Sequence, residues 1–425
     1  MFITKKLLLK NGLQLWLSEL PNTHSVSIDL FIKSGVRYEN INEIGITHLL
    51  EHLHFREMCN MSQRQLYFDM ESMGTTLRAV TYRDFLRFYL KVTPEKFKQS
   101  LEIFAGVFQT YDWSDSAFEK EKNVVIKQIL EYSEYNSDAF AMNAVFGEMP
   151  VAKPIMGIEK TIKSLTVKDV VRYKKEVFRR DNMLLCVAGN IIESDIATIC
   201  NVFGDIPLND NQDCKNNCIM PVNFENRCNN YLIEDNDWDT LDVDICFDVN
   251  YDKISLKEIE ILNCILGEGV GSRLQWELRE SKCITTDIFS TVDKFDDLSV
   301  LHIKYSVTAD QFYESLSDIV TVLNGMKSDI TERDFLITLP FYDKNLDFCL
   351  DDTSELSFLN GWYGFILGSE FKKYSISNTK TAAEKFKQLS EKLFSTKNLS
   401  LVVMGNCSKI KKSKISAVLS LLDSF

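Results

Sequence analysis

Three of the chain's five histidines, His48, His52 and His54, fall within seven residues of one another. Two of them flank a glutamate in Gly45-Ile-Thr-His48-Leu-Leu-Glu51-His52, a His-x-x-Glu-His arrangement that composition alone seldom produces. On a helix turning about 100° per residue, His48 and His52 lie about 40° apart on one face, so both imidazoles can reach one ion. Glu51 projects from the adjacent edge, where a carboxylate can take a proton from water activated by a metal without being a ligand itself. Two neutral nitrogen ligands beside a free carboxylate are the equipment of a metal-dependent hydrolase. His54 points elsewhere and is expected to pack.

These side chains need a frame. Apolar residues recur at helical spacing over 45–56, 62–73, 95–109 and 116–133, the last of these richly charged. Val26, Ile28, Leu30 and Ile32 alternate with Ser25, Ser27, Asp29 and Phe31 ahead of Gly35, the period-2 pattern of a half-buried strand. Leu184 to Ala188 form a short apolar run closed by Gly189-Asn190, which predicts a buried strand ending in a turn. That segment, NMLLCVAGN at 182–190, returns as NLSLVVMGN at 398–406, an offset of 216 residues. So long a period points to two copies of one domain rather than a solenoid. The Asn-rich stretch 209–229 between them has little apolar periodicity, so the expected division is an N-terminal domain 1–210 with the metal motif, a linker 211–229 and a homologous domain 230–425. Gly267-Glu-Gly269-Val-Gly271 imitates a phosphate loop, but Lys257 to Leu266 before it reads as a helix rather than a strand, so an ordinary turn is expected.

Composition narrows the class further. The chain has 425 residues, 45% hydrophobic and 26% charged, with 17 Gly and 7 Pro, values that exclude collagen-like and disordered classes. Its 48 Lys and Arg against 61 Asp and Glu leave a net charge of −13 without a basic block, which argues against a nucleic-acid partner. No run reaches the roughly 18 apolar residues of a membrane span, and the apolar part of MFITKKLLLKNG is too short for a signal peptide, so a cytoplasmic protein is expected. Eleven scattered cysteines read as free thiols; Cys214, Cys218 and Cys228 cluster but match no strong zinc spacing.

GITHLLEHLHF, with NGLQLWLSELPNTHSVSIDLFIKSGVRYE before it, resembles the inverzincin metallopeptidases of the pitrilysin, insulysin and mitochondrial processing peptidase family. The likeness continues through ESMGTTLRAVTYRDFLRFYLKV, FEKEKNVVIKQILE, KPIMGIEKTIKSLTVKDVVRYKKEVFRRDNMLLCVAGN and ILGEGVGSRLQWELRESK, nearly the whole chain. The resemblance implies an α+β fold of two homologous domains, each a mostly antiparallel sheet with helices on one face, which together form half of a hollow clam. It implies a zinc endopeptidase that cleaves peptides in an enclosed chamber, and at this length a dimer.

Carried over by resemblance, His48 and His52 match the zinc ligands and Glu51 the general base. The third ligand, a Glu in the family, falls on Gln128, 76 residues after His52, with Glu131 one turn on as the alternative. Glu121, seven residues before Gln128 and nearly on the same face, matches a carboxylate that orients a ligand. The family binds substrate by adding it as a strand to a sheet edge bearing Asn-Ala-x-Thr; here that segment is Arg78-Ala79-Val80-Thr81, and Leu86 replaces a later Thr. The family's Arg and Tyr, which stabilise the oxyanion, fall on Arg279 and Thr286. The missing Tyr fits the family's heterodimers, in which one subunit carries the metal motif and its relative supplies the Arg/Tyr pair. Two readings follow: a zinc endopeptidase subunit, engaged in peptide or bacteriocin maturation, or a non-catalytic, peptide-binding partner of an active subunit.

Overall fold

The structure, a computed structural model, describes residues 4–132, 137–208, 230–250, 254–369, 371, 373 and 376–424. The expected linker, 211–229, and Cys214, Cys218 and Cys228 lie outside the described residues.

The first compact unit takes residues 1–135, 153–220 and 347–371. Its sheet is built from β1 (Thr4–Leu8), β2 (Gln14–Glu19), β3 (Val26–Ile32), β4 (Arg78–Thr81), β5 (Leu86–Val92) and β6 (Met183–Gly189), in the order β1-β2-β6-β3-β5-β4. Only the β2/β6 pair is parallel. The second unit takes 136–152, 221–346 and 372–425. It holds β7 (Tyr231–Asp235), β8 (Leu241–Asn250), β9 (Ile288–Lys294), β10 (Leu298–Val307) and β11 (Leu399–Gly405), ordered β9-β10-β8-β11-β7, with β11/β7 parallel. Apart from β1, the two sheets have the same strand order and the same single parallel pair. The fold is α+β with two matching halves. The repeated segments noticed in the sequence are β6 and β11, each buried along its whole length. Each ends in a glycine with positive φ, 140° at Gly189 and 135° at Gly405. At each, a Cβ would lie 2.3 Å from a backbone carbonyl, of Ser25 and Thr240 respectively. Only glycine fits there.

Helices cover the main face of the first sheet, among them α1 (Ile46–Arg56), α2 (Asp115–Tyr132) and, later in the chain, the helix Val167–Val177. Ile28, Leu30 and Ile32 point into this core with Leu49, Leu53 and Val125. The expectation that β3 is half-buried is corrected: all seven of its residues are buried. The opposite face is covered by the helix Thr353–Gly361, whose Thr353 hydroxyl bonds Ser27 Oγ at 2.9 Å and whose Phe358 stacks on Phe31 with ring centroids 6.2 Å apart. A Cβ at Gly361 would sit 2.1 Å from the Phe31 ring, so the helix seats on that ring only because the residue is glycine. Asp29, buried on the same face, pairs with Arg87 at 2.5 Å, which satisfies the charge that burial would otherwise make costly. In the second unit the corresponding face is covered by the helix Ser137–Phe146, whose Ala141, Met142 and Val145 pack on Cys246, Val300 and Val402. Each unit thus takes one helix from the other half of the chain, so neither is continuous in sequence.

Residues 256–266 form a helix ending at Gly267, so the glycine-rich segment after it follows a helix as expected. No helix among the described residues is long and apolar enough to cross a membrane. The eight described cysteines are all free thiols.

Candidate active site

The helix carrying the motif begins at Ile46 because its first amides are capped from outside. Glu39 accepts from Gly45 N at 2.7 Å and from Thr47 N at 2.9 Å. Burial raises the Glu39 carboxyl to about 7, against the pull of these bonds and of the Thr47 hydroxyl. Gly45 takes φ +97° and its backbone packs against Gly157, leaving a Cβ no room.

His48 and His52 then project together, their rings edge to face with centroids 4.6 Å apart. Gln128, from α2, brings its Oε1 to 3.3 Å from His48 Nε2. Glu121, also on α2 and buried, lies 3.0 Å from His52 Nδ1 and is ion-paired to Arg56. A neutral His52 that donates Nδ1–H to this carboxylate has its Nε2 lone pair free for a metal. Glu51 lies beside them, its Oε2 accepting the Thr81 hydroxyl at 2.5 Å and standing 3.7 Å from His48 Nδ1. Burial opposes its charge, but the nearby His48 imidazole and the bond from the Thr81 hydroxyl prevail and hold its pKa below the usual value. His48 Nδ1 is buried without a hydrogen-bond partner.

The donor set fits a zinc-class ion. The 3.3 Å between His48 Nε2 and Gln128 Oε1 matches the separation of about 3.3 Å between nitrogen and oxygen ligands held at about 2.0–2.1 Å in a tetrahedron. Glu131 is exposed, and neither it nor any other described His, Cys, Asp or Glu joins His48 and His52 in a group with ligand atoms within 4.8 Å of one another. His54 is turned into the core, bonded to Leu50 O at 2.7 Å and to the buried Lys174 amine at 3.0 Å.

Arg78, Ala79 and Thr81 lie on β4, the sheet's edge strand, which among the described residues pairs only with β5. Thr81 therefore joins the edge strand to Glu51. A cavity of about 390 Å³ adjoins the strand, lined by Phe55, Tyr67, Met70, Leu77, Arg78 and Ala79. Arg279 lies in the second unit, half-exposed and 3.7 Å from Glu280, and Thr286 is exposed just before β9. Two residues of the site were missed from sequence. Arg56 stands four residues after His52 on the same helix face, a spacing that could have revealed it, whereas nothing local marks Glu39 as a cap.

The chain is similar to known proteins over most of its length. The insulinase (peptidase family M16) model matches residues 15–158 and the M16 inactive-domain model residues 164–338. The uncharacterized zinc protease YmxG of Bacillus subtilis is 25% identical over 92% of this chain and 95% of its own length. The mitochondrial-processing peptidase subunit beta of Saccharomyces cerevisiae is 30% identical over 47% of this chain and 44% of its own. Among solved structures, a protease from Helicobacter pylori superposes with TM-score 0.81 and 20% identity, covering 95% of this chain and all of the other. The chain belongs to the M16 (insulinase) peptidase family, that of pitrilysin, insulysin and the processing peptidases.

Proposed function

We propose that this chain is a zinc-dependent endopeptidase subunit. The observation that carries the reading is the convergence of His48, His52 and Gln128 beside a Glu51 that Thr81 ties to an open sheet edge. His48, His52 and the Gln128 oxygen would hold the zinc, with Glu121 fixing the tautomer of His52. Bound there, the metal supplies Lewis-acid polarisation of a carbonyl and lowers the pKa of water. Glu51, kept ionised, takes the proton from the attacking water and passes it to the departing amine. The peptide adds as a strand to β4, its backbone paired with Arg78 to Thr81, and one apolar side chain enters the neighbouring cavity beside Phe55 and Met70. By the family resemblance Arg279 is the candidate substrate-binding arginine, and a related subunit of a dimer supplies the Tyr missing at Thr286. Maturation of a peptide such as a bacteriocin, inside the closed chamber of that dimer, is the biological task this suggests.

The neutral Gln128 favours a second reading, a peptide-binding partner without activity, because two imidazoles and an amide bring no negative charge to a dication. Elemental analysis of the purified chain, with His52→Ala as control, separates the two. One more zinc per chain in the wild type than in the control supports the peptidase; equal zinc contents in the two after zinc is supplied remove it.

A further inference from the structure

Register equates positions in the two sheets. In the repeated segment Cys186 and Val402 hold the same place; Asp29 pairs across from Cys186 and Asp244 across from Val402, so these two aspartates correspond. By the same register Phe31 corresponds to Cys246, and Arg87, opposite Phe31, corresponds to His302, opposite Cys246. The first sheet therefore carries an Asp–Arg ion pair beside a phenylalanine. The second keeps the aspartate but has a histidine in place of the arginine and a cysteine in place of the phenylalanine. Both changes introduce a residue that binds transition metals.

All three side chains are buried, with exposures of 3% for Asp244, 0% for Cys246 and 1% for His302. Cys246 Sγ lies 3.5 Å from His302 Nδ1 and 3.4 Å from Asp244 Oδ1, and His302 Nδ1 lies 3.1 Å from that same Oδ1. Sulfur, nitrogen and oxygen ligands at tetrahedral distances from zinc, about 2.3, 2.05 and 2.0 Å, are separated by about 3.3–3.6 Å, close to that triangle. His302 Nε2 is buried without a hydrogen-bond partner, and the nearest carboxylate, Asp293, stands 3.6 Å away. When Nδ1 binds a metal, Nε2 must carry the proton and point it at that carboxylate, the support commonly found behind a metal-bound histidine. A cavity of about 200 Å³, lined by Lys304 and Phe289 among others, reaches the Asp244 carboxylate, while Cys246 and His302 lie behind it and do not line it.

We propose that Asp244, Cys246 and His302 form a second metal site, in the second unit, for a borderline-soft divalent cation of the zinc class. Binding releases the thiol proton, and that of His302 when charged, to solvent. Burial holds the Cys246 thiol protonated, and Lys304, 3.8 Å from Asp244 and bonded to Asp138, competes for the same carboxylate, so both oppose the ion. The site is independent of the His48/His52 reading, since only the second site includes a sulfur.

Cobalt(II) makes that sulfur visible, because thiolate coordination adds a near-ultraviolet charge-transfer band that nitrogen and oxygen ligands do not give. The full-length His52→Ala chain titrated with cobalt should show this band rising to one equivalent. Cys246→Ser should abolish it. His302→Arg should abolish it too while restoring the ion pair of the first sheet, and circular dichroism on that variant shows that loss of the band is not loss of fold. A band that never forms, or that is equally strong in Cys246→Ser, overturns the proposal and leaves Asp244–His302 as a structural ion pair.

Discussion

Residue 128 decides how tightly the proposed catalytic metal is held. Replacing Gln128 with Glu puts a negative charge where its Oε1 now lies 3.3 Å from His48 Nε2. Unit charges about 4 Å apart attract by about 4 kcal/mol at an effective dielectric near 20, and a dication roughly doubles that. Against this stands the desolvation of a half-buried carboxylate, of several kcal/mol. The balance left is about 1.4–2.7 kcal/mol, or about 10- to 100-fold tighter zinc. Competition with a chromophoric chelator, on wild type, Gln128→Glu and Glu131→Gln, measures it. The expected order is Gln128→Glu tightest, with Glu131→Gln equal to wild type. Unchanged affinity in Gln128→Glu, together with loss in Glu131→Gln, would refute the assignment and move the third ligand one turn along α2.

Thr81→Val keeps the shape of the edge strand but removes the hydroxyl on Glu51; at about 1.5–3 kcal/mol for a bond to a charged group, peptide cleavage should fall about 10- to 100-fold in kcat with zinc content unchanged. Parallel loss of zinc would mean that Thr81 shapes the metal site instead. Glu39 binds its proton up to about pH 7 in the folded chain against 4.5 ordinarily, so over that window the folded state holds more protons than the unfolded one. Its contribution to stability is therefore greatest below pH 4.5 and declines by about 3 kcal/mol as pH rises to 7, then levels off. Urea melts across that range should show a flatter profile for Glu39→Gln, although this variant also weakens one cap bond to α1; identical slopes would exclude the titration. Gly189→Ala and Gly405→Ala should each lower stability by about 2–3 kcal/mol, because each Cβ meets a carbonyl at 2.3 Å. Equal Tm values for variants and wild type would contradict the matched strand ends.

Much of the fold was legible because it is written locally. Hydrogen bonds between residues four apart make a helix, so His48 and His52 could be placed on one face, with Glu51 at its edge, from spacing alone. Strand β6 announced itself as an apolar run closed by glycine, and its repetition as β11 disclosed the duplication. The resemblance brought Gln128 and Glu121 to the same site as the histidines, residues that no local rule connects across 69 to 80 positions of chain.

The alternation in β3 was correct as a period and misleading as a measure of burial. Ser27 and Asp29 look solvent-facing, yet they are sealed by a helix whose Thr353 lies 326 residues beyond Ser27. Small polar residues are tolerated there because each finds a partner: Thr353 for Ser27, and Arg87 for Asp29. Asp244 and Cys246 share a strand face by spacing alone, but only the register of β8 against β10 sets His302 beside them. By itself the sequence determined the helices, the strands, the duplication and the paired imidazoles, because their causes lie within a few residues. Tertiary structure alone decided which oxygen of α2 faces those imidazoles, which face of β3 stays dry, and which three side chains meet on the second sheet, because strand register and helix docking depend on the packing of the whole core.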